Sequence, residues 1–143
     1  MNKIVVFSMV LSIGGASLVT GARDTHHMND FPAFWQKFKA AVISRDKKGV
    51  AALSRFPIGM SNGASDIPNR AELNRRFAEV FDQDTNAAQC FAVKEPALDT
   101  ESADRYTITC PNVADNFVAY EFERTQKEWK FVHRQFPTKC GCR

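Results

Sequence analysis

The chain has 143 residues, 44% of them hydrophobic and 24% charged, with a formal net charge of +3. This length favours a single compact domain, and the apolar fraction excludes a wholly disordered chain. Three excess positive charges are too few for a strongly basic nucleic-acid-binding protein, so no nucleic-acid partner is expected.

The first 22 residues have the pattern of an export signal. A short cationic start that contains Lys3 precedes an apolar run over residues 4–11, and Thr20-Gly21-Ala22 places small side chains at the cleavage positions. The run is too short to anchor a protein in a bilayer. We therefore predict cleavage after Ala22, no membrane anchor afterwards, and a periplasmic or secreted location in a bacterium.

Removing 22 residues from 143 leaves a mature chain of 121, with 18 basic and 16 acidic residues. Within it we expect a mobile N-terminal segment over residues 23–30, one folded domain over 31–137 and a tail over 138–143. The tail contains two of the four cysteines.

The first half of the domain has helical periodicity. Asp30 is expected to cap a helix of about fourteen residues. Asp46 is expected to cap a shorter second helix, residues 58–68 resemble a loop, and Asn69 begins a third helix. The predicted buried positions of the first and third helices are Phe34, Trp35, Phe38, Ala41, Val42, Leu73, Phe77, Val80 and Phe81.

After Asp84 the apolar period changes to two, which is typical of strands. Three clear strands contain Tyr106, Tyr120 and Phe131, and a weaker strand is predicted over residues 90–93. Three helices followed by a curved antiparallel sheet of about four strands give an α+β fold, with the helices packed on one sheet face.

The cysteines fit an exported chain, since disulfides persist in oxidising compartments. Cys90 and Cys110 flank a hairpin-like stretch, so we predict a bridge between them. Cys140 and Cys142 are then bridged to each other, free, or joined to another chain. The alternative pairing connects both tail cysteines to Cys90 and Cys110.

Three runs of the sequence carry a resemblance to a known superfamily: FPAFWQKFKAAVISRDKKGVAALSRFPI, NRAELNRRFAEVFD and YEFERTQKEWKFVHRQF. Together they resemble small exported bacterial proteins of the NTF2-like, cystatin-like superfamily, over residues 31–136. The resemblance implies a cone of helices on a curved sheet. It does not imply a function, since many of those proteins have no assigned activity and the superfold hosts enzymes and binding modules alike.

Strand alternation places His133 on the same face as Trp129 and Phe131, and that face would be the concave one. Tyr106 and Tyr120 would face the same space. These five residues are the candidate lining of an apolar ligand pocket. His133 is also the only candidate for an acid or base, because Glu121 and Glu123 fall on the opposite phase.

Other chemistry has weaker support. His26 and His27 lie in the predicted mobile segment, so no metal site is expected, and no motif indicates a cofactor. Cys140 and Cys142 could form a redox dithiol, but a structural or incidental role fits them better. Arg70, Arg75 and Arg76 are explained by a solvated helix face, since interleaved aromatic residues for base stacking are missing.

Two hypotheses follow. The first is a non-enzymatic module that binds a small apolar ligand or a protein partner, with a homodimer through the outer sheet face as a further arrangement that the resemblance implies. The alternative is an acid/base enzyme of the hydrolase, dehydratase or isomerase type, with His133 in an apolar pocket. They are distinguished by whether His133 lies in a cavity.

Overall fold

A computed structural model describes residues 30–61, 63–112 and 116–136. The predicted signal peptide, His26, His27, Cys140 and Cys142 lie outside these ranges. No helix in the described ranges is long and apolar enough to cross a membrane.

Five helices and five strands make up the described part of the chain. In chain order they are α1 (Phe31–Ile43), α2 (Lys47–Ala52), β1 (Ser54–Met60), α3 (Arg70–Arg75), α4 (Phe77–Phe81), α5 (Ala87–Val93), β2 (Ala97–Leu98), β3 (Arg105–Pro111), β4 (Phe117–Thr125) and β5 (Glu128–Gln135). Helices on one face of a largely antiparallel sheet confirm the predicted α+β fold class.

Local capping explains where several helices begin. The Asp46 side chain accepts a hydrogen bond from the Gly49 amide at 3.0 Å, and the Asn69 side chain accepts one from the Glu72 amide at the same distance. Both satisfy backbone donors that the first turn leaves free. The predicted caps of α2 and α3 are confirmed, whereas Asp30 makes no side-chain cap bond at α1.

The helix count differs from the prediction in two places. The predicted third helix is divided at Arg76 into α3 and α4, although its apolar stripe is buried as expected. Residues 90–93 form the end of helix α5 and not a weak strand. The Asn86 side chain caps that helix by accepting from the Gln89 amide at 3.0 Å, and a four-residue apolar run cannot by itself distinguish a strand from a helix.

The sheet has five strands in the order β1-β5-β4-β3-β2. Strand β1 was missed, since part of it falls in the predicted loop over residues 58–68. It pairs parallel with β5 and contains Pro57, a residue that edge strands tolerate and central strands do not. The remaining neighbours pair antiparallel, and β2 is a two-residue edge strand.

A bulge interrupts the pairing of β4 with β5. Glu121 pairs with His133 and Phe122 pairs with Phe131, so Val132 is an extra residue on β5. An extra residue reverses the alternation of every side chain that follows it. Trp129 and Phe131 therefore lie on the face that packs against the helices, the inner face, while His133 lies on the outer face.

The core is built mainly from aromatic rings between the helices and the inner face. Phe38 of α1 lies 5.1 Å from Phe122 and 5.4 Å from Phe131 between ring centroids. The predicted Cys90–Cys110 disulfide is confirmed, with 5.8 Å between the Cα atoms. It connects helix α5 to strand β3, not two strands as expected.

Candidate functional site

The space in which a ligand pocket was predicted is occupied by aromatic side chains. Tyr120, Phe122 and Phe131 have no exposed surface, and they contact rings from α1, α4 and α5. Tyr106 stacks on Phe31 with 3.6 Å between centroids and 3° between ring planes. Tyr106, Tyr120 and Phe131 thus belong to the packing of the domain.

The Tyr120 hydroxyl is engaged inside this core. It donates a hydrogen bond to the Val80 carbonyl oxygen at 2.8 Å, which connects β4 to helix α4. Burial raises the pKa of Tyr120, because the phenolate would have little water to solvate it. Tyr120 therefore remains a neutral hydrogen-bond donor at physiological pH.

His133 lies on the outer face with about a third of its side chain exposed. Its Nδ1 is 3.3 Å from Glu121 Oε2, and Gln135 donates a hydrogen bond to the same carboxylate. The ring covers Gly59, where a Cβ would come within 2.7 Å of His133 Cδ2. The prediction that His133 shares a face with Trp129 and Phe131 is wrong, because the bulge at Val132 reverses the alternation.

The inner-face position that His133 was expected to take belongs to Arg134, which is 2% exposed. Its Nη2 donates to Asp84 Oδ2 at 2.5 Å, and its guanidinium lies 4.6 Å from the Phe136 ring centroid. Buried arginine needs such a partner, since an unpaired buried charge is strongly destabilising. The sequence did not predict this pair, because Arg134 reaches the inner face only through the bulge at Val132.

A second ion pair lies nearby at the junction of α3 and α4. Arg76 donates through Nε and Nη2 to the two Glu79 oxygens at 2.8 and 2.6 Å. These bonds raise the pKa of Arg76 and lower that of Glu79. Arg76 is 9% exposed, so the interpretation of the three arginines as a solvated helix face is wrong for this one.

A concavity lies between α1 and the turn that joins β4 to β5. This hairpin groove has a volume of about 360 Å³ and is lined by Asp30, Ala33, Phe34, Lys37, Leu53, Lys127, Glu128, Trp129 and Lys130. That volume is at the lower end of the roughly 300–1,000 Å³ typical of small-molecule pockets.

Helical and hairpin geometry position the two walls of the groove. Ala33, Phe34 and Lys37 share one face of α1, because residues three and four positions apart are neighbours on a helix. On the other wall, Gln126 adopts φ of +54° in the hairpin turn, and Lys127 and Glu128 follow it. Among the predicted pocket residues, Trp129 is the one that lines this groove.

The groove combines an apolar floor with a basic rim. Phe34 and Trp129 line the groove and are each 8% exposed, so a small part of each residue reaches the surface. Lys130 donates to the Ala52 carbonyl oxygen at 3.1 Å and pairs with Glu128 at 3.0 Å. The sequence predicted no site role for Lys37, Leu53 or Lys127, since nothing in their spacing distinguishes them from ordinary surface residues.

No group of three or more His, Cys, Asp or Glu side chains that could hold a metal ion occurs in residues 30–61, 63–112 and 116–136.

No family model and no curated protein matches the sequence. Among solved structures, a protein of unknown function with a cystatin-like fold from Nostoc punctiforme is 14% identical, with a TM-score of 0.45 over 75% of this chain and 86% of that chain. An NTF2-like protein with a cystatin-like fold from Novosphingobium aromaticivorans is also 14% identical, with a TM-score of 0.46 over 81% and 84%.

A hexachlorocyclohexane dehydrochlorinase from Novosphingobium barchaimii is 13% identical, with a TM-score of 0.43 over 76% of this chain and 84% of that chain. The neighbours thus include proteins of unknown function and an enzyme.

Proposed function

We propose that this chain is an exported, non-enzymatic domain that binds a small, largely apolar ligand in the hairpin groove. The observation that carries the proposal is the contrast between the predicted pocket on the inner face and the hairpin groove. The space between the helices and the inner face is filled by side chains such as Phe122 and Phe131, whereas the groove exposes parts of Phe34 and Trp129 in a cavity of about 360 Å³.

The enzyme alternative required His133 in a cavity with a polar partner. His133 has the partner, Glu121, but it lies on the outer face away from the aromatic core. That alternative therefore lacks the residue on which it depended, and the binding hypothesis is the one we develop.

Ligand binding at the groove can be tested with one blocking variant and one matched control. Ala33 lies exposed on α1 at the groove, so Ala33→Tyr would fill it, while Gln36→Tyr adds the same bulk on an exposed position of the same helix outside the groove. The probe is 2-naphthoate, and binding is followed by the indole N–H resonances of the chain's two tryptophans.

We expect 2-naphthoate to shift the Trp129 resonance in the wild-type protein and in Gln36→Tyr. The Trp35 resonance should stay unchanged, since Trp35 is 1% exposed and lies outside the groove. Ala33→Tyr should abolish the shift. An equal shift in Ala33→Tyr would show that the groove is not the binding site.

Export rests on the signal-like first 22 residues and is supported by the Cys90–Cys110 bridge, since structural disulfides are rare in reducing compartments. Expression of the full chain in a Gram-negative host, followed by mass measurement of the periplasmic fraction, tests it. The expected product begins at Arg23. Recovery of an uncleaved chain from the cytoplasm alone would contradict export.

A further inference from the structure

We infer that the ligand of the hairpin groove is a small amphiphilic anion: a carboxylate attached to an aromatic or short aliphatic body. This inference rests on the proposed binding function and adds the chemical class of the ligand. It is carried by the distribution of charge around the apolar floor of the groove.

The positive and negative charges of the side chains that line the groove do not balance. Three lysines line it, against the two carboxylates of Asp30 and Glu128. Glu128 is paired with Lys130, which also donates to the Ala52 carbonyl oxygen, so Lys130 is held in place within the protein. Counted over the residues that the structure describes, the rim therefore has one more positive than negative group before any ligand binds.

Lys37 and Lys127 provide the positive charge available to a ligand. Within residues 30–61, 63–112 and 116–136, neither has an ion-pair or hydrogen-bond partner, unlike Lys39, Lys47, Lys94 and Lys130. Lys37 belongs to α1 and Lys127 to the hairpin turn, so the two ammonium groups come from opposite walls. A single carboxylate between the walls could accept from both.

The apolar floor of the groove determines the kind of body to which the carboxylate is attached. Phe34, Leu53 and Trp129 present carbon surface, which favours an apolar body and excludes water from one side of the rim. Charge interactions are stronger next to such a surface than in bulk water. Because the groove holds only about 360 Å³, the body is limited to one or two rings or a short chain.

The test compares two probes of nearly the same shape. 2-Naphthoate carries the carboxylate, and naphthalene-2-carboxamide replaces it with a neutral group. Each is titrated into the purified mature protein at low and high salt, and the Trp129 indole resonance gives the dissociation constant. The variants are Lys37→Gln, Lys127→Gln and the double variant, with Lys48→Gln as the control, since Lys48 is exposed on α2 and lies outside the groove.

We expect 2-naphthoate to bind about tenfold more tightly than the amide at low salt, with most of this preference lost at high salt. Each single lysine variant should weaken 2-naphthoate binding about threefold to fivefold, and the double variant should bind both probes equally. Lys48→Gln should bind like the wild-type protein.

Equal affinity for the two probes in the wild-type protein would overturn the anion inference and leave groove binding in place. A Trp129 resonance that moves with neither probe would overturn both proposals. A preference for 2-naphthoate that survives in the double variant would show that the carboxylate is recognised elsewhere, which also overturns the inference.

Discussion

Arg134 is the residue whose surroundings differ most from what the sequence suggests. It occupies an inner-face position among apolar side chains, and its charge is compensated by Asp84 at 2.5 Å. Removing one partner of a buried pair leaves the other charge poorly compensated in a site with little water, which costs far more than breaking a surface pair.

We therefore expect Asp84→Ala to lower the free energy of unfolding by about 3–5 kcal/mol. The matched control is Asp82→Ala. Asp82 has similar exposure to Asp84, 33% against 31%, but its partner Arg45 is 60% exposed and not buried. The control should cost less than about 1 kcal/mol. Urea unfolding measures both, and equal costs would show that burial of Arg134 does not determine the effect.

Tyr120 gives a prediction for alkaline pH. An unfolded tyrosine loses its proton near pH 10, and burial raises the pKa of Tyr120 above that value in the folded chain. The unfolded state therefore loses the proton first, and the free energy of unfolding falls as the pH rises above about 10. Below that pH this contribution is fully present.

The comparison of Tyr120→Phe with Tyr106→Phe tests this assignment, since the chain has only these two tyrosines. Urea unfolding at a series of pH values should show a shallower alkaline decline in Tyr120→Phe than in Tyr106→Phe. In folded wild-type protein, the tyrosinate absorbance of Tyr120 should appear only together with unfolding. An unchanged decline in Tyr120→Phe would contradict the assignment.

At the scale of elements, the bulge in β5 and the disulfide of α5 have the largest consequences. The bulge decides which side of the sheet each residue after Val132 faces. The disulfide attaches α5 to β3, and this attachment closes a loop between positions 20 residues apart. Loop closure stabilises chiefly by restricting the unfolded chain.

We expect Cys90→Ala/Cys110→Ala to lower the free energy of unfolding by about 3 kcal/mol, as the length of the closed loop suggests. The change is made in a Cys140→Ser/Cys142→Ser background, so that a reductant acts on the Cys90–Cys110 bond alone. Adding dithiothreitol to that background should reproduce the loss, and it should have no effect once Cys90 and Cys110 are replaced. A loss below about 1 kcal/mol would indicate that the bond is not important for stability.

At the scale of the whole molecule, the aromatic cluster joins every layer. Phe38 alone contacts rings from α1, α4, α5, β4 and β5, among them Trp35, Phe81, Phe91, Phe122 and Phe131. The side chains around Phe38 are closely packed, and such surroundings relax only partly when a large buried side chain is shortened. Truncation of Phe38 therefore leaves a cavity.

Phe38→Ala is therefore expected to cost about 3–5 kcal/mol of unfolding free energy, measured by urea unfolding. Phe117→Ala is the control, since Phe117 is a strand residue with 42% of its surface exposed, and its loss should cost less than about 1 kcal/mol. Comparable costs would contradict a core centred on Phe38.

The sequence by itself determined the α+β fold class, the caps at Asp46 and Asn69 and the apolar stripes of α1 and α4, and it favoured the Cys90–Cys110 pairing over the alternative. All of these depend on local periodicity, on residue types that satisfy backbone donors, or on the small number of cysteine pairings.

Only the tertiary structure decided β1, the bulge at Val132 and the hairpin groove. Strand β1 exists because β5 offers it a parallel partner, which no local pattern encodes. The bulge exchanges His133 for Arg134 on the inner face, since one unpaired residue reverses the strand period. The groove brings Lys37 and Leu53 next to Lys127 and Trp129, residues far apart in the chain, because packing and not spacing places α1 against the hairpin.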